Sequence, residues 1–379
     1  MHVLYVIANN ASVPYFNWFA ERSLRAEGVR FSFVALYPER PLMLEEMAAR
    51  GLDAFWVPFD SRRRKRDMLR ALPHLYHLIR RIRPDVVHSH LFDDSVPTLL
   101  AARLARVPVR VITKQDIGFH IRYAPRVVPF DRFNNWNATA IRAVSKEGLQ
   151  LVLEYERAPP AKVHLVYDGI PPEVATAVDP ATVAAFRDRH RLEGRFVIGT
   201  VARLIEWKGH DLIIQAAARL AARGKRWRFL WAGVGDMKAR LQQRIAEEGL
   251  EDSITFLDWV SRTDIPSLYR CLDVYLHPAV GEPFGFVVTE AMMNGVACAA
   301  TPCGSTDRTR HLTDVYTLQP GSVDDIVRAL EHLEGDPERR RSLAEAGRAH
   351  ALAHSNLERM WEGHMELYRR AVAEARRTG

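Results

Sequence analysis

Long apolar runs are missing from this 379-residue chain. The N-terminal HVLYVIA (2–8) is far too short to span a bilayer and lacks the basic start and cleavage site of a signal peptide, and nothing later approaches a spanning helix. The expectation is a cytoplasmic protein. Cysteine is scarce: Cys271, Cys298 and Cys303 are odd in number, and their spacing fits neither a disulfide framework nor a zinc site. They are expected as buried free thiols. No Gly-x-Gly-x-x-Gly follows the first strand, where it would hold a dinucleotide pyrophosphate; GVGD (233–236) supplies only two glycines at a strand end. A Walker lysine loop is missing too, as are repeats and low-complexity segments. These absences argue against nicotinamide dehydrogenases, P-loop nucleotidases and disulfide-stapled domains.

What is present is an ordinary folded composition, 47% hydrophobic and 26% charged, on a chain too long for one core. Strand-like and helix-like segments alternate, which predicts parallel sheets. HVLYVIA, RFSFVAL (30–36), DVVHSH (85–90) and RVIT (110–113) read as strands of a first domain over residues 1–170. Residues 171–180, with Pro171, Pro172 and Pro180, read as a linker. A second domain follows over 181–354, with RFVIGTVA (195–202), RFLWAG (228–233), SITFLDWV (253–260) and DVYLHP (273–278). The fold class is α/β, two Rossmann-like domains. The helix from about Ser355 to 379 is expected to pack back on the first domain.

Charge is uneven. Residues 1–170 carry 25 Lys and Arg against 17 Asp and Glu, whereas the remainder is nearly balanced. The run RRRKR (62–66) precedes apolar residues Met68, Leu72, Leu75, Ile79 and Ile82, which give a helix face with a kink or late start at Pro73. This stretch reads either as a solvated helix face or as a peripheral contact with an anionic membrane. No RNA-binding motif accompanies the charge, so nucleic acid is not an expected partner.

The densest signal is HPAVGEPFGFVVTEAMMNGVACAATPCGS (277–305). Glu282 lies just before a helix and Glu290 inside it, with Gly285 near the first helical position. A helix start offers free N–H groups and partial positive charge to an anion such as a diphosphate. Glu282 is then placed for sugar hydroxyls and Glu290 for a ribose diol. A second string, VARLIEWKGHDLIIQA (201–216), puts Arg203 and Lys208 on a loop after a strand, where cations can neutralise a leaving diphosphate.

The Arg-x-x-x-x-Lys-Gly and Glu-x-x-Gly-Phe-x-x-x-Glu strings, together and in order, resemble the large family-four group of retaining GT-B glycosyltransferases over roughly 195–300, more faintly elsewhere. The resemblance implies two Rossmann-like domains facing a central cleft. It also implies a hexosyltransferase-type enzyme moving a sugar from a nucleoside-diphosphate-sugar donor to a hydroxyl acceptor: a glycan, a lipid-linked molecule or a small molecule. By resemblance Arg203 and Lys208 hold the diphosphate, and Glu282 contacts the transferred sugar. Phe284, Gly285 and Phe286 line the donor, with backbone donors from Gly285 and Phe286. Glu290 binds the ribose, and Val260 sits near the base. The catalytic set is Glu282, Arg203 and Lys208. No Asp-x-Asp occurs anywhere in the chain, the pair by which the other main class of glycosyltransferases holds its metal, so neither metal nor cofactor is expected.

The N-terminal half departs from the family. Asn9, Asn10, Ala11 and Ser12 stand where a pair of glycines is usual, and Gln115 where many members have a histidine. The usual Gly-Gly-x-x-Glu reads Gly304, Ser305, Thr306, Asp307, Arg308. Acceptor-side candidates are Asn10, His88, His90 and Asp116, with His120 behind them. For His88 and His90 a structural role is the open alternative. Two other functions share this architecture, a nucleotide-sugar 2-epimerase and a non-catalytic GT-B subunit.

Overall fold

The computed structural model describes residues 1–8, 14–90, 92–118, 121, 125–175 and 178–378. Its elements in chain order are β1 (His2–Ala8), α1 (Pro14–Ser23), β2 (Arg30–Tyr37), α2 (Leu42–Ala49), β3 (Asp53–Pro58), α3 (Arg64–Ile82), β4 (Val86–Ser89), α4 (Phe92–Leu104), β5 (Val109–Lys114), α5 (Val128–Asn137), β6 (Ala140–Ala143), α6 (Lys146–Glu154) and β7 (Val163–Leu165). They continue as α7 (Pro180–Arg189), β8 (Val197–Val201), α8 (His210–Ala222), β9 (Arg228–Ala232), α9 (Lys238–Glu247), β10 (Ile254–Asp258), α10 (Ile265–Arg270), β11 (Val274–His277), α11 (Phe286–Met293), β12 (Ala297–Ala300), β13 (Tyr316–Thr317), α12 (Val323–Gly335), α13 (Pro337–His354) and α14 (Leu357–Thr378). The chain divides into two compact units: Met1–Asp168 with Leu357–Gly379, and Gly169–Asn356.

The first unit holds a seven-stranded sheet in the order β3-β2-β1-β4-β5-β6-β7, every described pairing parallel. Strands covered on both faces must be apolar throughout, and β1 is buried from Val3 to Ala8. Its even residues Leu4 and Val6 pack with Leu75 and Ile79 of α3. On the odd side Tyr5 stacks on Phe19 of α1, and Phe19 and Phe31 meet Trp361 of α14. The apolar face of α3 is Ala71, Leu75, Leu78 and Ile79. Pro73 lies inside α3, which already starts at Arg64, so the helix has no late start at the proline.

The second unit holds a six-stranded sheet in the order β10-β9-β8-β11-β12-β13. Its core is built from Ile198, Ile214, Trp231, Leu241, Val274 and Leu330. The stretch expected as a linker carries structure of its own. A 3-10 turn spans Pro172–Ala175, and α7 starts at Pro180 because Asp179 caps it, accepting from the Ala181 N–H at 3.0 Å.

In both sheets the strand order reverses beside the first strand of the unit, between β1 and β4 and between β8 and β11. Ligands of open α/β sheets bind beyond the strand carboxyl ends at such a switch point. The second unit's switch point is flanked by the loops after β8 and β11, which carry Arg203, Lys208, Glu282 and Gly285.

Candidate active site

The loop after β8 closes with a 3-10 turn, Glu206–Lys208, and Gly209 turns the chain into α8. Gly209 has φ 78°, and a Cβ there would lie 2.3 Å from the Pro278 carbonyl oxygen. Only glycine permits this approach of the two loops. The Val280 N–H donates to the Trp207 carbonyl at 2.9 Å, tying the loops together. The far side is braced by Thr301, whose hydroxyl donates to Ala279 O at 2.7 Å, and by Ser305, whose N–H donates to Phe284 O at 2.8 Å.

This bracing brings Lys208 and Glu282 into direct contact as an ion pair. His277 Nε2 lies 3.2 Å from the same Glu282 oxygen, and its Nδ1 lies 3.4 Å from the Tyr275 hydroxyl. An ionised carboxylate only accepts hydrogen bonds, so the His277 proton facing it belongs on Nε2. Burial alone would raise the Glu282 carboxyl, but the His277 hydrogen bond and the Lys208 charge outweigh it and bring it down to about 2. Glu282 is therefore a carboxylate at every physiological pH.

Gly285 begins α11 with φ 84°, its Cα backed by Cys303 and Ser305. Phe284 is buried and packs against Phe286, ring centroids 5.0 Å apart. Glu290 lies further along α11, where its carboxylate accepts from the Tyr269 hydroxyl at 3.3 Å. Burial pushes the Glu290 carboxyl up, opposed by the charge of Arg262 and by that hydrogen bond. Two carboxylates on one loop-helix segment thus have opposite electrostatic settings. Val260 is half-buried against the cluster of Leu192, Leu230 and Leu268. Arg203 is exposed, and its side chain has no ion pair among the described residues. Reading the sequence missed His277, Tyr269 and Arg262; His277 alone had a signal, as the first residue of the densest string.

The acceptor-side candidates fare differently. Asn10 and His120 lie outside the described residues. His88 is a correction: it is fully buried, with Nδ1 on the Tyr368 hydroxyl and Nε2 on Thr113 Oγ1 at 2.7 Å, so neither nitrogen is left for an acceptor. The reason is α14, whose Tyr368 covers the end of β4. His90 is also buried, with Nδ1 2.9 Å from Val6 O, and burial lowers it to about 3, so its ring is neutral. Asp116 is half-buried and accepts from the Gly118 N–H through Oδ1. Cys271, Cys298 and Cys303 are buried free thiols. Among the described residues no cluster of three His, Cys, Asp or Glu is placed to hold a metal ion, and no helix is long and apolar enough to cross a membrane.

Two doubly wound units, the second with its charged loops at the switch point, define a GT-B architecture. A crystal structure of HepE from Anabaena in complex with UDP superposes with a TM-score of 0.81 over 97% of this chain and 99% of that one, at 17% identity, a likeness of fold. The profile of glycosyl transferases group 1 matches residues 183–350, and that of the glycosyl transferase 4-like domain matches 14–169. The 2-deoxystreptamine glucosyltransferase of Streptomyces kanamyceticus is 31% identical over 282 residues, 70% of this chain and 72% of that protein. The GDP-mannose-dependent alpha-(1-6)-phosphatidylinositol monomannoside mannosyltransferase of Mycolicibacterium smegmatis is 28% identical over 278 residues, 69% of this chain and 71% of that one. The chain belongs to the glycosyl transferases group 1 family, and it is a glycosyltransferase.

Proposed function

We propose that this enzyme transfers a hexose from a nucleoside-diphosphate sugar to a hydroxyl acceptor, with retained anomeric configuration and without a metal. The observation that carries the reading is the Lys208–Glu282 pair beside the start of α11, at the switch point of the second sheet. Lys208, Arg203 and the positive end of the helix dipole offer the diphosphate a preorganised cationic seat. Glu282, ionised and oriented by His277, accepts from the sugar hydroxyls. Glu290 accepts from the ribose diol. As the anomeric bond breaks, charge builds on the diphosphate, and the same cations stabilise it, the work a metal does elsewhere. The leaving phosphate oxygen takes the acceptor proton on the same face, so no general base is assigned.

One of these relatives is named for 2-deoxystreptamine and the other for phosphatidylinositol monomannoside. The positive excess of residues 1–170 favours an acceptor held at an anionic lipid surface. Thermal shifts with UDP-, GDP-, ADP- and dTDP-sugars in excess chelator test the donor reading, since a ligand bound only by the native state raises the melting temperature. Product analysis without acceptor should give slow hydrolysis and no epimer. Lys208→Ala should cut turnover about a hundredfold or more. Activity abolished by chelator and restored by magnesium, or full turnover in Lys208→Ala, would overturn the mechanism.

A further inference from the structure

Helix α5 is built inside out. Its buried residues are Asp131, Asn134, Asn135 and Asn137, while Phe130 is 52% exposed, Phe133 37% and Trp136 57%. A helix on a sheet normally buries its apolar stripe and shows its polar one. Here the polar side is locked inward. Lys114 of β5, itself buried, is 2.8 Å from both Asp131 and Glu156, and the Asn135 amide donates to Glu156 at 2.7 Å. Lys162 fixes the end of the helix, donating to the Trp136 and Ala138 carbonyls at 3.2 and 2.8 Å. Rotating α5 to hide its aromatic rings would pull Asp131 away from Lys114 and Asn135 away from Glu156, breaking into a buried ionic cluster at a cost of several kcal/mol. The exposed aromatic face is thus a built feature.

Its surroundings are cationic. Arg103 of α4 lies over the Trp136 ring at 4.0 Å, with Leu104 exposed beside it. Phe92 of α4 approaches Phe130 at 6.2 Å. Arg132 is exposed on α5 itself and donates to the Tyr155 carbonyl, next to an exposed Tyr155 ring. Every carboxylate on α4 and α5, namely Asp93, Asp94 and Asp131, is buried. Aromatic rings and arginines with no exposed acid on α4 or α5 suit the headgroup boundary of an anionic bilayer. A second copy of the chain is disfavoured, because a two-fold contact would set arginine against arginine. By contrast, the basic run at 62–66 is partly neutralised, with Arg62 paired to Asp60 and Arg64 to Asp93.

We infer that the Phe130–Phe133–Trp136 face of α5, ringed by Arg103 and Arg132, is the surface by which this enzyme docks on anionic lipid. This rests on the lipid-surface contact of the proposed function and assigns it to α5 in place of the basic run that opens α3.

The test is co-sedimentation of the full chain with vesicles of phosphatidylcholine alone or mixed equally with phosphatidylglycerol. Binding to the anionic vesicles only is expected. A Phe130→Ser, Phe133→Ser, Trp136→Ser variant should lose it about tenfold or more, with an unchanged far-ultraviolet spectrum and unchanged donor hydrolysis in solution. Arg103→Gln with Arg132→Gln should weaken it and flatten its salt dependence. If the aromatic variant sediments like the wild type while substitution of residues 62–66 abolishes binding, the lipid contact stands and its assignment to α5 is overturned. No wild-type binding to either vesicle overturns both. A wild-type dimer that the aromatic variant converts to monomer would make the occupant a second copy.

Discussion

At the residue scale the two site glutamates carry opposite stability signatures. Glu282 has a depressed carboxyl, so its contribution to stability is present above the unfolded carboxyl range, about 4.3, and is lost as pH falls through about 2. Glu290 has a raised carboxyl, so keeping it ionised at neutral pH works against the ligand-free fold, and that penalty fades as pH falls through its folded value toward the unfolded one. Glu282→Gln should therefore lower the melting temperature at pH 7, and Glu290→Gln should raise it. Both differences should shrink as the pH is taken below about 4. Melting curves of the ligand-free protein at pH 7 and pH 3 check this. Equal signs for the two variants at pH 7 would refute the electrostatic account. Both glutamates were legible in the sequence because they sit at fixed offsets around a glycine at a helix start. His277, Tyr269 and Arg262 were less so, because they reach the site from a strand, a helix and a loop outside α11, and their meeting depends on tertiary packing.

At the element scale, the start of α11 depends on one left-handed glycine. An alanine at Gly285 would cost about 1–2 kcal/mol for the backbone alone. Its Cβ would also lie 2.8 Å from Cys303 Sγ and 3.2 Å from Ser305 Oγ, in a wall of buried side chains. Gly285→Ala should thus displace the first turn, weakening nucleoside diphosphate binding more than it lowers stability. Calorimetric titration beside a denaturation curve separates the two; undiminished affinity would show that the helix start is not the diphosphate seat. The strands were readable from their apolar runs, since a parallel sheet buries both faces. Element ends were less so: α14 starts at Leu357, and α7 starts on the last residue of the proline-rich stretch, because capping by Asp179 makes Pro180 a helix start. The inverted polarity of α5 was invisible to periodicity, which marks a stripe without telling which side faces in. Its partners, Lys114 and Glu156, are distant in sequence.

At the scale of the whole molecule, the chain leaves the first unit after Asp168 and returns to it at Leu357. The returning helix is part of that unit's core: Trp361 packs on Phe19 and Phe31, Arg22 pairs with Glu358 at 2.7 Å, and Tyr368 satisfies His88. Tyr368→Phe leaves a buried His88 nitrogen unpaired and should destabilise the protein by about 1–3 kcal/mol in denaturant titrations. A loss near zero would mean the contact is dispensable. That histidine looked like a ligand group in the sequence because it ends a strand; the covering helix comes from the other end of the chain.

The central claim is that the donor lies with its nucleoside at Glu290 and its sugar at Glu282. An interaction equal in ground and transition states changes affinity, and one that strengthens as the anomeric bond breaks changes the rate. The most direct measurement is calorimetric binding of the free nucleoside diphosphate to Glu282→Gln and Glu290→Gln, paired with steady-state rates of each. Glu290→Gln is expected to lose diphosphate affinity, whereas Glu282→Gln keeps it and loses turnover. Diphosphate affinity lost as badly in Glu282→Gln as in Glu290→Gln would contradict that claim.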